Sequence, residues 1–166
     1  MYKIGEQIVY GSTGICTVLE IAPSKLRGSD PERLFYSLKP MYQDGVIFTP
    51  VDGKVFMRPV ITKKEADALI KSIPTIHAEA YQERNLSMLT SHYEAILKKH
   101  DCCMLMELTM SLHEKRRMAL SQNRKFGLID ERFMKRAEEL LFGELAVALG
   151  IERDEVPEYI RNKLRK

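Results

Sequence analysis

Tryptophan is absent from this chain of 166 residues, so any apolar contact with a partner has to come from other side chains. Cysteine is scarce, with Cys16 and the neighbours Cys102 and Cys103 making three. An odd count without CxxC spacing fits reduced thiols better than a disulfide framework. Adjacent cysteines are poor metal clips, and His100 nearby does not complete a set of four ligands, so neither metal nor cofactor is expected. Long apolar runs are missing too: nothing approaches the ~20 residues a membrane span needs. Residues 1–5 lead directly into strand-like sequence with no apolar leader. A cytoplasmic protein without a membrane partner is the expectation. Charge of one sign is likewise in short supply, the formal net charge being +3. Affinity for nucleic acid therefore depends on local clustering rather than on the total.

Catalytic patterns are also lacking. The four histidines, His77, His92, His100 and His113, are scattered and form neither HxxxH nor HExxH. Ser12, Ser87 and Ser111 have no glycine elbow and no base with carboxylate in a recognisable pattern. Glu138 and Glu139 are neighbours on a helix and point in different directions, which argues against a shared acid/base dyad. No catalytic residue is assigned, and the chain is not expected to be an enzyme. Gly11-Ser12-Thr13-Gly14 has the paired glycines of a phosphate cradle, but a cradle needs GxxxxGK[ST] between a strand and a helix. Here another strand-like run follows Gly14, so the segment is a β turn.

What is present falls into two halves with different periods. Short β runs are expected over 7–10, 15–21, 34–38, 46–51 and 55–60, separated by glycine and proline. In the second run Ile15, Thr17, Leu19 and Ile21 alternate with Cys16, Val18 and Glu20, the period of a strand. Asp52-Gly53 reads as a two-residue hairpin turn. Five short strands at this spacing suggest a small, strongly curved barrel. The period then becomes helical. Thr62-Lys63-Lys64-Glu65 is a capping box ahead of Ala66, Leu69, Ile70 and Ile73, and Pro74 ends that helix. Asn85 caps a helix carrying Leu89, Tyr93, Ile96 and Leu97, and Asp101 caps one carrying Leu105, Leu108, Met110 and Leu112. Asp130 is expected to cap a third, with Phe133, Met134, Ala137, Leu140, Leu141, Leu145 and Leu149, which Gly150 stops. A short helix over 154–164 follows. The fold class is thus α+β in two domains: a β-barrel with a terminal helix over 1–73, and an all-α bundle over 74–166.

Two places stand out as candidate contact sites. Lys115, Arg116 and Arg117 close one helix, Arg124 and Lys125 lie in the next connection, and Arg132, Lys135 and Arg136 begin the following helix. Such a corner is either a footprint for phosphates or a solvated face partly neutralised by Glu131, Glu138 and Glu139. Leu86, beside Asn85 and Ser87 at a helix start, is a staple, a partner contact or a wedge between bases.

Taken in order, Val9-Tyr10-Gly11 through Gly14 to Val18, Phe48-Thr49-Pro50-Val51, Asn85-Leu86-Ser87, and Arg136-Ala137-Glu138-Glu139-Leu140-Leu141-Phe142-Gly143-Glu144-Leu145-Ala146 resemble the CarD/CdnL family of bacterial transcription regulators. The resemblance runs from about Lys3 to Leu149. It implies an N-terminal Tudor-like domain, shared with the transcription-repair coupling factor, that binds the β subunit of RNA polymerase through edge-strand contacts. It also implies a helical domain that meets promoter DNA at the upstream edge of the melted bubble. By position, Leu86 matches a tryptophan that many members wedge into the minor groove, and Asn85 matches its neighbour. The basic positions that follow are Met88 and Leu89 here, which moves the expected phosphate contacts to Arg124, Lys125, Arg132, Lys135 and Arg136. Leu26 and Arg27 lie where members contact the polymerase, and Phe48 stands where some carry arginine. The expected function is a monomeric regulator that binds polymerase and stabilises the open promoter complex. The alternative is an adaptor that binds a partner strand through the barrel without touching DNA.

Overall fold

The computed structural model describes residues 1–28 and 30–165. Two units emerge, Met1–Val60 and Ile61–Lys166. The first holds β1 (Gln7–Tyr10), β2 (Gly14–Pro23), β3 (Leu34–Pro40), β4 (Ile47–Pro50) and β5 (Met57–Pro59). They form one antiparallel sheet in the order β4-β3-β2-β1-β5. One face buries Ile8, Cys16, Val18, Tyr36 and Leu38. Gly11-Ser12-Thr13-Gly14 is the turn expected: Tyr10 pairs with Gly14, Thr13 donates to the Tyr10 carbonyl, and φ is +44° at Gly11 and +94° at Gly14. Those angles favour glycine over any residue with a Cβ.

Three features of the sheet differ from the sequence reading. The sheet is open: β4 pairs with β3 and β5 with β1, so among the described residues the two outer strands do not meet and the barrel does not close. Asp52-Gly53 for the same reason joins strands at opposite edges. Gly53 lacks the positive φ of a primed turn and instead donates to the Pro50 carbonyl at 3.1 Å. The alternation of β2 also breaks. The β2–β3 register shifts between Val18 and Glu20, so Leu19 is extra, and Ile21 joins Cys16 and Val18 against the core. A bulge inverts the parity of every residue beyond it.

The second unit contains α1 (Lys63–Ser72), α2 (Leu86–Leu97), α3 (Cys102–Ser121), α4 (Leu128–Leu149) and α5 (Val156–Leu164). The capping box at Thr62 forms in both directions at 3.1 Å. Asn85 and Asp101 cap α2 and α3 by accepting from the Met88 and Met104 amides. Gly150, at φ +70°, ends α4. The division expected between 73 and 74 assigned α1 to the sheet. In the structure Ala66, Leu69 and Ile70 instead share one buried cluster with Leu89, Leu112, Leu141 and Leu145, and α1 lies within the helical unit.

Asp130 does not cap α4 from outside, as the sequence suggested. Gly127 holds that position and Asp130 is buried in the first turn. A Cβ at position 127 would sit 3.0 Å from Asp130 Oδ2, so glycine leaves room for the carboxylate to fold back. Its other oxygen, Oδ1, accepts from Tyr93 Oη of α2 at 2.5 Å and from Lys115 Nζ of α3 at 2.9 Å. One carboxylate thus ties three helices together.

Removing one member of a buried charge pair leaves the other unpaired at a cost of about 3–5 kcal/mol. Asp130→Ala should therefore destabilise the helical unit by about that much, measured by denaturant unfolding, whereas Lys64→Ala at an exposed helix position should change stability by less than about 0.5 kcal/mol.

Candidate functional site

On the sheet, the strand register sorts the expected polymerase-side residues. Tyr36 pairs with Thr49 and Leu38 with Ile47 on the core face, so Ser37 and Phe48 pair on the outer face, as do Glu20 and Ser37 in the next row. Phe48 is therefore 72% exposed although it sits mid-strand. Leu19, expelled by the bulge, points outward as well. Past β2 the chain turns through Leu26, 77% exposed. Leu26 and Phe48 meet in one groove of about 740 Å³, whose apolar wall includes Leu19, Pro23, Phe35 and Val46. Arg27 is exposed next to Leu26 but does not line the groove. The groove lies over the outer face of β2 and β3 and reaches β4 at Phe48; among the described residues β4 is paired on one side only. Such an edge offers backbone donors and acceptors to an added strand. The opposite edge strand, β5, is shorter, with three residues against four, and both strands end in a proline that has no N–H.

On the helical unit the cations divide into two groups. Lys115 was expected to close α3. The helix instead continues to Ser121, and Lys115 turns inward to Asp130. Arg117 is held by Glu114 and Arg136 by Glu139, each at i,i+3 spacing. Arg124, Lys125, Arg132 and Lys135 are exposed and have no ion pair among the described residues. Arg132 lies over the Phe133 ring at 5.0 Å, a contact that fixes its stem without neutralising it. The α3–α4 connection is set by Asn123 at φ +55°, with Asn123 and Arg124 donating back to the carbonyls of Leu120 and Ala119. That is the Schellman pattern, which ends α3 and directs Arg124 out of the helix.

Leu86 is 64% exposed, so it is no staple; Asn85 Oδ1 meanwhile caps α2. Of the two departures noted after it, Leu89 is buried in the core and Met88 is exposed. Sequence reasoning missed two further leucines, Leu120 at 61% and Leu128 at 84% exposed. Their signal was phase. Leu105, Leu108 and Leu112 predict the next buried positions near 116 and 119, and Phe133 and Ala137 predict those before them near 130 and 126, so Leu120 and Leu128 fall outside the buried stripe.

The polar groups that could act chemically are tied down. His113 bonds Glu138 at 2.7 Å. His92 stacks on Tyr81, with centroids 3.6 Å apart, and burial followed by the Lys115 charge holds its pKa below the ordinary value. Cys102 is buried and donates to Glu144 at 2.9 Å. Cys103 is exposed, its thiol pushed up by partial burial and then by Asp101 and Glu107. Vicinal positions on a helix face about 100° apart, so the two thiols lie in different environments.

Residues 2–61 match the family model of the CarD-like/TRCF RID domain. The N-terminal unit belongs to this family. RID domains are non-catalytic modules that interact with RNA polymerase, and the match ends where the sheet unit ends, leaving the helical unit outside it. No curated protein matches the chain.

Only the thiolate alkylates. Cys103 should therefore react with iodoacetamide more slowly at pH 8 than a free thiol and accelerate as pH rises past its raised pKa, while Cys102 stays unmodified in the folded chain; mass spectrometry after tryptic digestion reads both.

Proposed function

We propose that this chain is a transcription regulator that docks on the β subunit of RNA polymerase through β4 and its groove, and uses the helical unit to contact promoter DNA and stabilise the open complex. The observation that carries the reading is the pairing of an RID-family sheet with an unpaired edge strand flanked by exposed Leu26 and Phe48. A strand added to β4 would pair by its backbone and place alternate side chains into the groove. Arg27 stands beside that groove to meet an acidic rim.

Support for the DNA half comes from Arg124, Lys125, Arg132 and Lys135, which are available to phosphates, and from Leu86, which projects beyond the cap at Asn85. Arg136, engaged with Glu139, would be a weaker contributor. These groups favour backbone phosphates and an apolar contact and include no fork aimed at a base edge, so binding would be independent of sequence. In this reading the sheet is a Tudor-like fold whose curvature stops short of closure, and the protein works in the cytoplasm on polymerase already at a promoter.

Two measurements test the two halves. Leu26→Ser/Phe48→Ser in the full chain should lower capture by a polymerase β-subunit fragment by about tenfold or more; undiminished capture would remove the groove from the interface. Leu86→Ala and the charge reversal of Arg132, Lys135 and Arg136 should each shorten open-complex lifetime while leaving polymerase capture intact. Should lifetime stay unchanged in both, the helical unit is a second protein-binding surface and the chain is an adaptor.

A further inference from the structure

After α1 a single 3-10 turn, Ile73–Thr75, leads into a strap over 76–85 that is neither helix nor strand. Two contacts hold the strap against the helices that follow it. The Ser111 hydroxyl of α3 donates to the Glu79 carbonyl at 2.6 Å, and the Tyr81 ring stacks on His92 of α2 with centroids 3.6 Å apart and planes 11° from parallel. Strap, α2 and α3 together line a cleft of about 510 Å³. Its helical walls keep the helical period: His92 and Ile96 are a turn apart on α2, as are Met104, Leu108 and Ser111 in succession on α3. Leu108 is buried and Ile96 and Met104 are half-buried, so part of the lining is apolar. Small-molecule sites fall in the range of roughly 300–1,000 Å³, and this cleft lies within it.

Its charge has one sign. Glu79 and Glu107 line the cleft, are exposed and have no ion pair among the described residues, while no lysine or arginine lines it although the chain as a whole is basic. Lys115, one turn beyond Ser111, is bound to Asp130. His92 stays neutral at neutral pH, because burial and then the Lys115 charge hold its pKa down. A turn before Glu107, the Cys103 thiol is pushed up by partial burial and then by Asp101 and Glu107, so the potential along this side of α3 is negative. An anion would meet no cation here, and a hydrocarbon would leave both carboxylates without a partner. An ammonium would answer the carboxylates but has no flat face to lay on the rings. A guanidinium does both, since its N–H fork pairs with a carboxylate and its plane stacks on an aromatic ring. We propose that this cleft binds a free organic cation with a guanidinium head and a short apolar tail, the head answered by Glu79 and Glu107 and stacked on the Tyr81–His92 pair, the tail against Ile96, Met104 and Leu108. The site is built from the helical unit alone, so it stands or falls separately from polymerase docking and from DNA contact.

The test is isothermal titration calorimetry of the full chain with n-butylguanidine, n-butylamine and butyrate, which share a tail and differ in the head. Butylguanidine should bind, butylamine should bind about tenfold more weakly, and butyrate should not bind. The His92 ring proton resonances should shift on adding butylguanidine, which places the ligand in this cleft rather than at another carboxylate. Glu79→Gln/Glu107→Gln should weaken butylguanidine by about tenfold or more. Both side chains are exposed, so the variant should keep its thermal transition, which circular dichroism checks. No binding of butylguanidine, equal binding of butylamine, or undiminished binding by the glutamine variant would each overturn the proposal. Tighter binding of a capped alanine peptide with one central arginine would assign the cleft to an arginine side chain of a partner protein and overturn the free ligand.

Discussion

The hydrogen bonds that converge on Asp130 constrain more of the helical unit than any other contact. A carboxylate in an apolar interior is costly unless its lone pairs are used, and here Oδ1 takes protons from a phenol and an ammonium on two other helices. The interaction fixes the rotation of α2, α3 and α4 about their axes, because only one phase of each helix brings Tyr93, Lys115 and position 130 together. Phase in turn decides which residues face outward. The same contact keeps the Tyr93 hydroxyl protonated: burial, and then the bond to Asp130, raise its pKa.

It also changes how the charge of the chain is distributed. A cluster of eight cations between residues 115 and 136 looks like one basic patch in the sequence. In the fold, Lys115 is spent on the interior, Arg117 and Arg136 are matched by carboxylates a turn away, and of the five left exposed Arg116 lies on α3 while the other four lie from the α3–α4 connection into the first turns of α4. Counting positive residues overstates the field such a surface offers, and pairing determines it.

Local rules were legible wherever the determining atoms lie within a few residues of one another. The capping box at Thr62, the caps at Asn85 and Asp101, the stop at Gly150 and the glycine turn after Tyr10 all formed as their sequences imply. What escaped was set by distant partners. The bulge at Leu19 arises from how β2 pairs with β3, and no property of residues 15–21 announces it. Asp52-Gly53 has turn chemistry, but whether a turn joins neighbours depends on where β5 pairs, and β5 pairs with β1. Asp130 resembled a cap because aspartate often is one; its burial reflects Tyr93 and Lys115, remote in sequence. Of the candidate site, Phe48, Leu26 and Leu86 were singled out through the family resemblance and their exposure came from the fold, whereas the exposure of Leu120 and Leu128 follows from a helix phase that Leu105, Leu108, Leu112, Phe133 and Ala137 already carry in the sequence.

The two surfaces differ in the strength each has to supply. Backbone pairing along a four-residue edge with an apolar groove near it can support a specific protein contact, to which Arg27 would add a charge at the side. In the proposed function the helical surface would hold DNA weakly by itself at physiological salt, since each phosphate contact loses value as counterions accumulate. In the proposed function that weakness is tolerable, because attachment to polymerase raises the local concentration of the helical unit near the DNA, to roughly the mM range for a short link. It is also useful. A DNA surface that binds only when delivered does not trap the protein on the large excess of duplex, and the choice of site passes to the polymerase. In that reading selectivity for a melted region needs nothing from base edges, because phosphate contacts and an apolar contact at the exposed Leu86 would position the unit without reading sequence.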